Sequence, residues 1–160
     1  MRKRATPLNM SETAPNPEEK TYRAIGRFIF EFSQVEYTIR HYLAEEIGLK
    51  DEHFTPVVES YDAAVLCNVA KEVFAKRRPV EFAARIKKDI DHFFGLNADR
   101  KRVAHGLWVP SKDGGTVHHV SRNNLKARRS ENQAEALEKH ADELNTLRAE
   151  LENSFTASLS

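Results

Sequence analysis

Residues 24–48 read AIGRFIFEFSQVEYTIRHYLAEEIG. Ile25, Phe28, Phe32, Val35, Ile39, Tyr42, Leu43 and Ile47 recur at steps of three and four. That spacing lays one continuous apolar stripe along a helix, ending at Gly48. The helix is expected to start near Pro17, with Asn16 as its cap and Glu18 and Glu19 in its first turn. Phe30 lies off the centre of the stripe, open to a second interface. Glu36 and Arg40 flank the stripe four residues apart, in the favourable order for a helix ion pair.

Outward from this helix the same period continues. A second helix is expected from Thr55 to Lys76, capped by Thr55 with Pro56 in its first turn. Val58, Tyr61, Val65, Val69 and Val73 form its apolar line, with Leu66 and Phe74 beside it. A third starts near Val80 and carries Phe82, Ile86, Ile90 and Phe93, with Gly95 as its end. Asn97 then caps a short helix through Ala98–His105, and Gly106 is expected as its left-handed stop. Two short β-prone runs flank the turn signal KDGG at residues 112–115. Residues 122–129, RNNLKARR, read as a solvated linker. A last helix is expected over 131–153 with Leu137, Leu144, Leu147 and Leu151 on its apolar line. The expected fold is all-α: an antiparallel bundle of four to five helices with a small β-hairpin or extended loop inserted before the last helix. The bundle covers residues 17–154, between a flexible tail at 1–16 and a short tail at 155–160.

Composition agrees with one such domain. The chain has 160 residues, 31% of them charged and 40% hydrophobic, with six glycines and six prolines, a mix that suits helices with long solvated faces. Net charge is +1, so charge distribution carries more information than the total. Residues 76–102 are rich in Lys and Arg, RNNLKARR holds four basic residues and no acidic one, and 131–152 is acidic. Cys67 is the sole cysteine. This excludes an intrachain disulfide or a Cys-based zinc site and points to a cytoplasmic setting. No apolar run approaches the ~20 residues of a membrane span, and no signal-peptide run is present. His118 and His119, adjacent in an expected strand, point to opposite faces and make a poor metal pair. No metal and no cofactor are expected. Cys67 reads as a small core residue, and Trp108 as a plug between hairpin and core.

The segment Asp99–His105 reads DRKRVAH. It combines Arg100, Lys101 and Arg102 with His105 late in an all-α chain. Together with the opening helix and its polar SQVE patch, this resembles the HEPN superfamily, the helical bundles named for higher eukaryotes and prokaryotes nucleotide-binding proteins. Many members carry an Arg, four to six variable residues and then His. The resemblance in order and pattern spans residues 20–153. It implies a metal-independent endoribonuclease, in phage defence or a toxin–antitoxin system, with Arg100 and His105 catalytic. Relatives commonly dimerise with their motifs lining one cleft. The resemblance therefore implies a homodimer, an RNA or nucleotide ligand, and an antitoxin or other protein partner, with no membrane. Lys101, Arg102, Ser33 and Glu36 are the expected binding shell. This chain has Lys101 where many catalytic members have Asn, and Leu107 where some have Tyr. A catalytically silent module that binds nucleotide, RNA or protein is the alternative implied.

The chemistry suits these residue types. The RNA 2′-hydroxyl attacks the neighbouring phosphorus, a group titrating near neutrality moves the proton, and a planar cation holds the charge on the phosphoryl oxygens. On an ideal helix Arg100 and His105 stand about 140° apart. They meet only across a distorted helix start or between two subunits.

Overall fold

The computed structural model describes residues 16–111, 114–120, 127–130 and 133–157. The basic run at residues 2–4, the Lys112–Asp113 half of the expected turn, residues 121–126, Glu131, Asn132 and residues 158–160 lie outside that range. The fold is an all-α bundle with a small antiparallel sheet before the last helix.

Helix α1 spans Pro17–Glu46. The Asn16 side chain accepts from the Glu18 amide at 3.2 Å, taking up one of the donors a helix start leaves open. At the far end Gly48 takes φ +66°, and the Leu49 amide donates to the Ala44 carbonyl at 2.9 Å. That is the left-handed close a glycine permits. Ala24, Phe28, Phe32, Val35, Ile39 and Leu43 are buried along one face. The Phe32 and Phe93 rings meet at 4.4 Å.

The expected second helix is divided. A one-turn α2 (Asp51–Phe54) runs into a single π-helical turn, Thr55–Glu59, and α3 begins only at Ala63 and ends at Arg77. Two contacts explain the break. Arg40 donates to the Tyr61 carbonyl at 2.6 Å, and the Asp62 carboxylate accepts from the amides of Ala64 and Val65 at 2.8 and 2.9 Å. The inward line of α3 is therefore Ala63, Leu66, Cys67, Ala70 and Phe74, while Val65 is exposed.

The Asp62 carboxyl is held below the usual carboxylate range. The Val65 amide does most of this, with help from the Ala64 amide and the Lys101 charge, against an opposing effect of burial. A depressed folded-state pKa stabilises the fold above the unfolded value of about 4, and the contribution is lost as pH falls through the folded value. Asp62→Ala is accordingly expected to lower the thermal midpoint at pH 7, with the gap to wild type narrowing below about pH 4. Asp62→Asn, which keeps the cap acceptor but not the charge, should fall between Asp62→Ala and wild type at pH 7 and lack the acid dependence; thermal melts across pH check both.

Helix α4 is one uninterrupted helix, Val80–His105, not two helices separated at Gly95. Gly95 is exposed, whereas Leu96 and Asn97 are buried on the face that continues Phe82, Ile86, Ile90 and Phe93. That burial outweighs the ~1 kcal/mol a mid-helix glycine costs. Asn97 is thus a core position and not a cap.

After α4 come β1 (Leu107–Val109), β2 (Thr116–Val120) and β3 (Ala127–Ser130), paired antiparallel in that order. The third strand occupies part of the segment read as a linker. Helix α5 spans Gln133–Ala157. It continues past residue 153 because Phe155 extends the leucine line inward, its ring 4.0 Å from Tyr42 and 5.1 Å from Phe74.

Contacts set the helix directions. Arg27 pairs with Glu138 at 2.7 Å near one end, and Tyr42 stacks on Phe155 near the other, so α1 and α5 run the same way. His92–Glu143 and Asp99–His140 contacts set α4 against α5. The two-residue link Arg78–Pro79 makes α3 and α4 antiparallel neighbours. The chain from α1 to α3 therefore returns along the bundle through α2, whose Phe54 lies 6.2 Å from the Tyr37 ring.

Cys67 is fully buried, and burial pushes its thiol up to about 12. It is expected to resist Ellman's reagent at pH 8 in the native protein and to react fully in denaturing urea, because the thiolate is the reactive form.

Candidate nucleic-acid interface

The last turns of α4 lie where α1, α5 and the sheet converge. Two features fix them there. Trp108, half-buried against the core, donates its indole N–H to the Val103 carbonyl at 3.1 Å. Gly106 is packed so closely that a Cβ would stand 2.4 Å from the Val117 Cγ2 and 2.5 Å from the Arg102 carbonyl oxygen. Gly106 has φ −83°, so its role is close approach of strand to helix, not the left-handed stop read from sequence. Gly114 and Gly115 do take positive φ, 102° and 88°, and they seat the end of the turn on Ala134 and the buried Thr21.

The three basic residues of the motif have different surroundings. Arg102 is held in place: its guanidinium donates to the Asp99 carboxylate and, at 3.4 Å, to Gln133. Asp99 also faces His140 Nδ1 at 3.5 Å, and the His140 ring lies 6.1 Å from Phe28. Sequence reading missed Asp99, Gln133 and His140. The Asp99–Arg102 half was signalled by its i, i+3 spacing, whereas the α5 half is purely tertiary.

Arg100 is half-buried, Lys101 and His105 are exposed, and none of the three has a hydrogen-bond or ion-pair partner among the described residues. For Arg100 this is unusual. Arg27 pairs with Glu138, Arg40 with Glu36, Arg78 with Glu46, Arg102 with Asp99, and Arg148 with Asn145. Arg85 lies over the Phe82 ring. Among the half-buried arginines described, Arg100 alone faces no acid, amide or ring.

Within one chain, the site residues expected from the sequence do not all converge. Because α4 is continuous and helical through His105, Arg100 and His105 keep their roughly 140° separation. Lys101 and His105, four residues apart, do share a face, together with Ala98 and the exposed Phe94. Glu36 is engaged by Arg40 at 2.8 Å and Ser33 donates to the Phe30 carbonyl at 2.7 Å. Phe32 and Phe93 define one level of the bundle. From it, Arg100 lies seven residues toward one end and Glu36 four toward the other, roughly 16 Å apart along the axis.

A cavity of about 450 Å³ opens at the opposite end of the bundle, lined by Tyr42, Glu45, Gly48, Leu49, Arg78 and Phe155. It is remote from the motif, and its polar groups carry both charges. Among the described residues no group of three or more His, Cys, Asp or Glu is placed to hold a metal ion. No helix there is long and apolar enough to cross a membrane. Compared with known proteins, the chain matches no family model, no curated protein and no solved structure significantly.

Proposed function

We propose that this protein is a metal-independent endoribonuclease of the HEPN type, working as a homodimer in phage defence or a toxin–antitoxin system, with an antitoxin or other protein partner controlling it. The observation that supports the RNA reading is Arg100, a half-buried residue with no hydrogen-bond or ion-pair partner among the described residues. Partial burial removes some of the water around a cation, and every other half-buried arginine among the described residues has a hydrogen-bond or ion-pair partner. A phosphate supplies that partner with two parallel acceptors. His105, exposed at the helix end, is within reach of solvent and ligand.

The reaction follows from these groups. The ribose 2′-oxygen forms a bond to phosphorus while the bond to the 5′-oxygen breaks. His105 accepts the 2′-hydroxyl proton, solvent water protonates the departing 5′-oxygen, the hydroxide left behind takes the proton back from His105, and Arg100 stabilises the charge on the phosphoryl oxygens. The products are a 2′,3′-cyclic phosphate and a 5′-hydroxyl. Since the two side chains diverge on one helix, the pair is completed between copies, Arg100 of one facing His105 of the other. Lys101 strengthens phosphate binding, and Ser33 and Glu36 enter the cleft only in such a dimer.

The unbroken course of α4 favours one second reading, a catalytically silent module that binds nucleotide or RNA, or a protein partner, through Arg100 and Lys101. Incubating labelled RNA with the protein in EDTA separates the two. Cleavage leaving cyclic phosphate ends, lost in both Arg100→Ala and His105→Ala, supports the enzyme; binding without cleavage at high protein concentration supports the module.

A further inference from the structure

The outer face of the sheet adjoins the motif and has no part in the cleavage chemistry above. The strand register sets Leu107 opposite His118, and His118 opposite Arg129, in one row across β1, β2 and β3; Val109 stands opposite Thr116 two residues along. Side chains alternate along a strand. Trp108 and Val117, the pair between these rows, turn toward the core, and Val117 is fully buried. The neighbouring rows therefore face outward. Leu107 is 70% exposed and Val109 49%, and His118 and Arg129 are exposed beside them.

The charge of this region is one-sided. The outward row carries His118 and Arg129, and the adjoining end of α4 carries Arg100, Lys101 and His105, while the nearby acid Asp99 is occupied by Arg102. Only Gly106 separates His105 from Leu107, and its tight packing fixes the strand to the helix end. The patch thus combines two exposed aliphatic side chains, an imidazole and a guanidinium on a surface that continues to Arg100 and Lys101 at the end of α4.

We infer that this face receives single-stranded RNA, an assignment that rests on the RNA reading above. Unpaired bases present apolar faces that stack on His rings or Arg planes and cover aliphatic side chains. Their phosphates then run toward Arg100 and Lys101. A duplex hides those base faces and would set its charged backbone against Leu107 and Val109, so the surface selects single strands.

The test is fluorescence anisotropy with a labelled 12-nucleotide oligouridine and a labelled 12-base-pair RNA duplex, both 2′-O-methylated so that neither is cleaved, in EDTA. The double variant Leu107→Thr/His118→Ala changes only outward side chains and keeps a strand-favouring residue in β1. It is expected to weaken oligouridine binding about 5- to 100-fold, the loss of one stacked base, with little change for the duplex and in the salt dependence. Arg100→Ala should weaken both RNAs and reduce the salt slope by about one. If Arg100→Ala weakens binding while the double variant does not, or the duplex binds as tightly as the single strand, the sheet assignment falls and the RNA reading stands. If neither RNA binds wild type, the RNA reading itself falls and takes this one with it. If the double variant instead loses self-association in sedimentation with its RNA affinity intact, the face is a protein contact and the assignment is overturned.

Discussion

If the proposed ribonuclease reading holds, His105→Ala is expected to lower RNA cleavage by about 10²- to 10⁴-fold, the range contributed by a positioned acid–base group, while RNA affinity changes little. For Arg100→Ala the complementary profile is expected: an affinity loss of about 10- to 100-fold, as for losing a charge-assisted contact of ~1.5–3 kcal/mol, together with a slower cleavage rate. Both variants should fold like wild type. Neither side chain holds another residue in place among the described contacts, and His105 is exposed. Single-turnover rates at saturating protein, with circular dichroism as the folding check, separate the two effects.

Pairing between copies makes the same experiment more demanding. If Arg100 of one copy works with His105 of the other, mixing inactive Arg100→Ala with inactive His105→Ala regenerates one intact site in each mixed dimer. Random exchange makes about half the dimers mixed, so recovered activity approaches a quarter of wild type. Rates that stay at the single-variant level after subunit exchange would mean that each chain must supply both groups, which the continuous α4 does not allow. Cleavage that survives both substitutions would remove the motif from the chemistry altogether.

The helices were legible because their cores are local patterns. The α1 stripe and its Asn16 cap could be read directly, as could the leucine line of α5 and the ion pair Glu36–Arg40, since each depends on spacing within one helix. The errors share a different cause. The break before α3 depends on Arg40, twenty-one residues away, reaching the Tyr61 carbonyl. Gly95 passes through α4 because Leu96 and Asn97 are buried by other helices. Strand β3, Ala-Arg-Arg-Ser, has no apolar alternation and forms by backbone pairing with β2. The candidate site divides the same way. Its basic composition and its angular problem were visible in DRKRVAH. That Arg102 is engaged while Arg100 has no partner among the described residues could not be read, because it depends on where Asp99, Gln133 and the other acids lie in the folded chain.

Phe32→Ala is expected to cost about 3–5 kcal/mol of folding stability, a third or more of the roughly 5–15 kcal/mol typical of a domain. Phe32 is 2% exposed, and its ring lies 4.4 Å from Phe93 on α4 and 6.2 Å from Phe28. Removing it deletes the link between the first helix and the helix that carries the motif, and two facing phenylalanines leave little slack to fill the hole. Phe30 supplies the control. It stands two residues earlier, about 200° around the same helix, and is 58% exposed. Phe30→Ala should therefore change stability by no more than about 0.5 kcal/mol in the monomer. Urea midpoints for the two variants decide whether the stripe in residues 24–48 was read on its correct face. Equal losses would place both rings in contact with protein, and a loss at Phe30 that grows with protein concentration would locate it in an interface between copies.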